Sequence, residues 1–298
     1  MSEKRLLITG AGGFLGQTLC RSALSGWTVY GAVRRRSPFD DRVHSAQTDL
    51  TSPRERKRLF AAVRPHAVIH AAAEANPNRC QKHSTAARRI NVDASIHIAE
   101  LCAEREIPCL FTSTDLVFDG HTPPYSETDL PSPISTYGFQ KAEAEKEMAA
   151  RYPQTVICRL PLMFGYCLDG PSGFEAEMVR SLASRKRVGL FFDEFRTPVD
   201  TESIASALLW ILNRGIHGII HLGGRTRISR YQMGRIAARR LGADPSLLDP
   251  ISRNDVEMPA PRPADVSLDS ERAFSLGYAP ADFETAYRGV IRRLATGP

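Results

Sequence analysis

The sequence predicts an α/β fold, a doubly wound parallel sheet with helices on both faces, followed by a smaller C-terminal lobe. Three observations predict it. Short β-rich runs alternate with longer helical patterns through the first half of the chain, the signature of βαβ units. A glycine-rich turn, ITGAGGFLG at 8–16, separates the first such run from the first helical pattern. After Pro161 the alternation becomes irregular, as expected where a second lobe is built over the carboxyl edge of an open sheet.

In order, β-rich runs occur at 5–9, 27–33, 67–70, 108–113 and 155–159, and helical patterns at 14–25, 53–63, 84–106 and 135–151. Beyond Pro161 the sequence predicts helices near 173–184, 203–213 and 229–241, a strand at 188–192 and a stiff proline-rich connector, MPAPRPAD at 258–265. This organisation divides the chain into a nucleotide-binding domain over 1–160 and a mainly substrate-binding lobe over 161–298. The segment about 193–215 returns to the first domain.

Composition narrows the function classes. With 42% apolar and 24% charged residues among 298, the chain can bury a sizeable core, and no low-complexity tract suggests disorder. No apolar run approaches the roughly 18 residues of a membrane span, and no signal-like apolar stretch precedes Gly10, so a soluble, cytoplasmic protein without a membrane role is expected. The net charge of +6 is dispersed, which gives no groove for nucleic acid. Six scattered cysteines lack a CxxC spacing and read as reduced core thiols. His217 and His221 fall about 13 Å apart at strand spacing, too far for one ion. The sequence therefore predicts no essential metal site.

Gly10, Gly13 and Gly16 give the turn freedom of backbone, close approach to a pyrophosphate and tight packing of helix on strand. The helix start at Phe14-Leu15-Gly16 adds unpaired N–H groups and the positive end of the helix dipole. A dinucleotide on a Rossmann-type sheet is the expectation. The end of the second strand faces the adenosine ribose, where an acid suits NAD and arginine suits the extra phosphate of NADP. Here VYGAVRRRS places Arg34, Arg35 and Arg36, with no acid before Asp40, so NADP(H) is favoured over NAD(H).

Tyr137 and Lys141, four residues apart in STYGFQK, leave the same helix face. An ammonium beside a phenol favours the phenolate, so Lys141 is expected to lower the pKa of Tyr137 and let it exchange a proton. FTSTDLVFDG at 111–120 reads as a buried strand ending in hydroxyls, which brings Ser113 and Thr114 towards Tyr137 at the cofactor crevice.

TGAGGFLG, HAAA at 70–73, NV at 91–92, STDLVFDG, PYSETDLPSPISTYGFQK and RPADVSLDS at 262–270 together resemble the extended short-chain dehydrogenase/reductase family over nearly the whole chain. The likeness is strongest to its dTDP-4-dehydrorhamnose reductase branch and to the related regulatory β subunit of methionine adenosyltransferase. It implies Thr114, Tyr137 and Lys141 as the catalytic set, with Lys141 also on the nicotinamide ribose. It further implies Asp49 and Leu50 at the adenine, Ala71, Ala72 and Ala73 along the cofactor cleft, and Ser113 and Asp115 at the substrate. Arg196 and Arg262 would meet a substrate diphosphate.

Two departures refine the reading. RLPLMFG at 159–165 carries Leu162 where that branch places a tryptophan near the nucleotide base, and Asp115 is followed by Leu116 where dehydratases carry a second acid. Dehydration is thereby disfavoured. Three readings stay open: an NADPH-dependent reductase of a nucleotide-linked 4-keto-6-deoxyhexose, an epimerase or other carbonyl reductase using the same residues, and a regulatory NADP-binding subunit whose partner is another enzyme. The resemblance also implies a homodimer paired through the helices at 84–106 and 135–151.

Overall fold

The structure, a computed structural model, describes residues 4–35, 39–167, 170–171 and 174–296. Seven strands form its central sheet: β1 Arg5–Thr9, β2 Thr28–Val33, β3 His44–Gln47, β4 Ala67–His70, β5 Cys109–Thr114, β6 Val156–Leu160 and β7 Ile219–His221. Their order is β7-β6-β5-β4-β1-β2-β3, and every pair is parallel. The order reverses between β1 and β4, so the loops after these strands part and leave a crevice at their carboxyl ends.

Both faces of the sheet are covered, so β4, β5 and β6 are buried at every position. Leu6 and Ile8 point to one side, into a core shared with α1 Phe14–Ala23 and with α5 Thr201–Arg214. Leu7, Val68 and Phe111 point to the other, against α2 Pro53–Val63, α3 Ala94–Ala103 and α4 Thr136–Arg151. The sheet side of α5 carries Ile204, Ala205, Leu208 and Ile211, all buried, so the chain after residue 200 packs beside α1.

A third core of Phe164, Met178, Leu190, Met233, Phe283 and Tyr287 forms around α6 Arg230–Leu241 and α7 Phe283–Thr296. Short strand pairs stitch this part together: Val188–Phe191 with Leu248–Ile251, and Phe195–Arg196 with Ile228–Ser229. Among the described residues, no helix is long and apolar enough to cross a membrane.

The expected elements are present with shifted ends, and the shifts have causes. Ser135 and Ser229 are N-caps rather than helical residues, and the helix expected at 203–213 starts earlier, at Thr201, because Asp200 caps it; each cap side chain accepts from an amide in the first turn. The predicted helix over 84–106 is divided. Ser84–Arg88 runs into a π-helical turn at Arg89–Asp93 before α3 begins, and the short helix Pro77–Lys82 precedes it. The edge strand β3, sequence HSAQ, has too little apolar content to announce itself. Gly173, at the start of the predicted helix near 173–184, and Arg36 lie outside the described residues.

Candidate active site

The crevice begins at Gly10, whose φ of +69° is one that a side chain rarely adopts. A Cβ there would lie 2.7 Å from the backbone of Ala72, so the turn after β1 and the loop after β4 touch main chain to main chain. Beneath them runs a buried hydrogen-bond chain. Ser95 Oγ donates to the Asn91 carbonyl (2.8 Å), so His70 Nε2 donates to Ser95 (2.9 Å) and His70 Nδ1 accepts from Thr9 Oγ1 (2.6 Å). Burial, then the nearby Lys141, pushes His70 down to about 3, which keeps this imidazole neutral.

α1 starts at Gly13 without a side-chain cap, whereas α2, α4, α5 and α6 each start on one. Its first amides therefore lack protein side-chain partners. Above them opens a cleft of about 740 Å³ lined by Gly10, Gly13, Arg34, Arg35, Asp49, Leu50 and Ala71 to Ala73. Leu15 and Gly16 are buried and Phe14 is half-buried behind it. What these three can offer a ligand is backbone N–H.

Arg34 and Arg35 are exposed at the rim. The Asp49 carboxylate accepts from Thr51 N (2.8 Å) and Thr51 Oγ1 (2.7 Å), and these bonds hold its pKa below the ordinary carboxylate value. Leu50 is fixed from below by Arg56, which donates to its carbonyl and to His97 Nδ1. Arg56 is buried, although its place in an arginine-rich helix gives no sign of it. The opposite wall includes Arg79, His83, Arg89 and Ile90, which sequence reasoning missed. Arg79 comes from the short helix, His83 from the turn that ends it, and Arg89 and Ile90 from the π-helical turn, a distortion frequent at functional sites and without a compositional mark.

Thr114 ends β5, and its hydroxyl donates to Asp115 Oδ1 (3.1 Å) while accepting from Leu116 N (3.2 Å). Tyr137 is buried beside Cys80, Ala87 and Leu116, and Ala87 also lines the cleft. Lys141 is 1% exposed; its Nζ donates to the Thr112 carbonyl (2.6 Å) and stands 3.8 Å over the Phe111 ring. Asn91 ties the π-helical turn to α4, donating to Gln140 Oε1 (2.9 Å), between Tyr137 and Lys141 in sequence.

The expected electrostatics are corrected by this geometry. The phenol of Tyr137 is raised, not lowered: burial dominates, Cys80 and Asp115 add to it, and the Thr114 hydroxyl works the other way. Lys141 is itself pushed down to about 7 by burial, with Glu145 opposing, and its ammonium is engaged by a backbone carbonyl. A lysine in a dry site stabilises a phenolate only to the extent that it stays protonated.

Ser113 and Asp115 are buried at the same strand end, and Ser113 Oγ and Asp115 Oδ2 have no hydrogen-bond partner. Burial raises Asp115 to about 6, with Arg196 opposing. Arg196 is not the free cation that the sequence suggests. It is buried, its Nε 3.4 Å from Asp115 Oδ2 and its Nη2 3.3 Å from Glu194, which also takes Arg230 Nε at 2.9 Å. Arg262 is half-buried beside this network and keeps an Nε without a partner. Among the described residues no group of three or more metal-ligating side chains could hold a metal ion.

A parallel sheet of this order, a glycine turn at its reversal point and a threonine, tyrosine and lysine on the adjoining strand and helix define an extended short-chain dehydrogenase/reductase, a class of NAD(P)-dependent oxidoreductases. Within that class the chain belongs to the family described as the RmlD substrate binding domain, whose profile matches residues 4–296. It is 31% identical over 267 residues to the "Probable low-salt glycan biosynthesis reductase Agl14" of Haloferax volcanii, covering 88% of each chain. It is 29% identical to the methionine adenosyltransferase 2 subunit beta of Bos taurus (92% of this chain, 83% of that one). Identity is again 29% with the dTDP-4-dehydrorhamnose reductase of Mycobacterium tuberculosis (93% and 89%). The dTDP-4-dehydrorhamnose reductase of Bacillus anthracis, solved with NADP, superposes with a TM-score of 0.86 at 20% identity, covering 98% of this chain and 100% of that one.

Proposed function

We propose that the chain catalyses NADPH-dependent reduction of the keto group of a nucleotide-linked sugar, with a 4-keto-6-deoxyhexose as the first substrate to try. The observation that carries this reading is the uncapped start of α1 beneath a cleft rimmed by Arg34 and Arg35, whose wall residue Ala87 packs against the buried Tyr137. The bare backbone of Gly10 and Gly13 fits a pyrophosphate, and two arginines at the strand end fit a further phosphate. NADPH, when bound, supplies the hydride.

The residues of the chain supply the rest. Thr114 and Tyr137 hydrogen-bond the carbonyl oxygen, and Tyr137, kept as a neutral phenol by burial, donates its proton there as the carbonyl becomes an alcohol. The Lys141 ammonium stabilises the phenolate left behind. Ser113, whose hydroxyl has no hydrogen-bond partner, and Asp115, whose Oδ2 has only the Arg196 ion pair, face the sugar hydroxyls, and Arg262 with its spare N–H is better suited to the diphosphate than the committed Arg196.

NADPH oxidation measured across a panel of nucleotide-linked 4-keto-6-deoxysugars tests the reading, and turnover on one or more of them is the expected result. A second reading, a regulatory subunit that binds NADP without turnover, draws on the similarity to the methionine adenosyltransferase subunit. Tight NADPH binding with no turnover on any panel member would favour it. Exchange of the sugar epimer without net NADPH consumption would mean an epimerase instead. For the cofactor, the double variant Arg34→Ala/Arg35→Ala is expected to weaken NADPH binding about tenfold or more and leave NADH binding within about twofold. Equal losses for both nucleotides, read by fluorescence titration, would remove the arginines from the choice of cofactor.

A further inference from the structure

Tyr137 and Lys141 are followed on the same face of α4, after another four residues, by Glu145. All three are buried. The Glu145 carboxylate does not reach for the cleft. It is clamped by Arg159 of β6, whose Nε donates at 3.1 and 3.2 Å and whose Nη2 donates at 2.8 Å. Arg159 is 1% exposed and its guanidinium lies 5.1 Å from the Phe118 ring centre. Its Nη1 meets His221 Nε2 at 3.3 Å, and His221 Nδ1 sits on the carbonyls of Tyr125 and Asp269 at 3.0 and 3.1 Å. Burial, then Arg159, takes His221 down to about 4, so the network holds one anion, one cation and a neutral imidazole.

A buried ion pair of this kind stabilises a fold no more than apolar side chains of the same volume would. Its place on the catalytic face of the helix points to a different use. We infer that Glu145 and Arg159 form a positioning device for the active site, in which Arg159 fixes a carboxylate one helical turn behind the buried Lys141 and so sets the charge that faces its ammonium.

The other groups facing Lys141 do not take this role. β5 presents the Thr112 carbonyl and the Phe111 ring, and β4 presents His70, which is neutral. Tyr137, on the same helix, is a neutral phenol at rest. Glu145 opposes the effect of burial on Lys141.

The inference rests on reading Lys141 as the catalytic cation, but its test observes the ammonium directly and does not depend on turnover. The chain has six lysines, few enough for Lys141 to be assigned in protein labelled with ¹³C at lysine Cε and titrated by NMR. In Glu145→Gln the Lys141 midpoint is expected to fall by about one unit or more, and the alkaline limb of kcat for NADPH turnover should move to lower pH by the same amount. Glu145→Asp should restore most of the shift. The double variant Glu145→Met/Arg159→Met removes both charges while keeping apolar volume, so it separates folding from electrostatics. Its Lys141 midpoint should also fall, but by less than in Glu145→Gln, where the Arg159 cation is left unpaired. A folded double variant whose Lys141 titrates as in the unmodified protein would overturn the inference.

Discussion

Tyr137→Phe is expected to reduce kcat by about 10²–10⁴-fold while NADPH affinity stays within about threefold. The substitution removes one hydroxyl and leaves the ring in its pocket among Cys80, Ala87 and Leu116, so packing should survive. On the proposed mechanism, what disappears is the proton delivered to the carbonyl oxygen. Burial holds the phenol protonated in the resting protein, so the variant lacks an acid and not merely a hydrogen bond. Steady-state NADPH oxidation and nucleotide titration on the same preparation separate the two effects. A variant that kept turnover near the unmodified rate would assign the acid elsewhere, with buried Asp115, raised to about 6, the next to replace. A variant that lost NADPH binding as well would show that the hydroxyl supports the cleft and not the chemistry.

The sequence exposed those parts of this site that are local. β1, the glycine turn and α1 form one short stretch, and a change of apolar period around glycine marks both the turn and its use. Tyr137 and Lys141 share one helix face, so their proximity follows from the helical repeat. Ser135 announces the start of α4 by its hydroxyl, although as cap and not as first helical residue. The features that escaped depend on contacts between distant segments or on backbone irregularities without a compositional sign. Arg196 looks like a free basic residue until β5 brings Asp115 against it and Glu194 closes on it from the same loop. Arg56 looks like one more surface arginine of α2, yet it holds the Leu50 loop at the edge of the cleft. The π-helical turn at Arg89–Asp93 carries ordinary helix formers, and only its tertiary partners, Asn91 with Gln140 and Glu74, reveal why the helix is distorted there.

The same distinction governs the largest expected effect on the fold. Gly16→Ala should destabilise the protein by about 3 kcal/mol and weaken NADPH binding at least tenfold, although the side chain gained is a single methyl group. Gly16 lies in the first turn of α1 with no unusual φ of its own, so strain in its own backbone is not the cause. The cause is what the methyl meets: a Cβ would stand 2.1 Å from the Gly10 carbonyl oxygen and 2.8 Å from Ala11 Cα. Both are main chain. No flexible side chain can swing aside, so either α1 moves away from the turn or the turn opens, and each displaces the free amides of the helix start relative to the cleft. Gly26→Ala provides the contrast, because a Cβ there meets nothing within 4 Å, and it should leave stability within about 0.5 kcal/mol. Thermal unfolding with and without NADPH reads both consequences. If Gly16→Ala unfolded and bound NADPH as Gly26→Ala does, close approach of α1 to the turn would not be what shapes this cleft, and the pyrophosphate reading would have to rest on the uncapped amides alone.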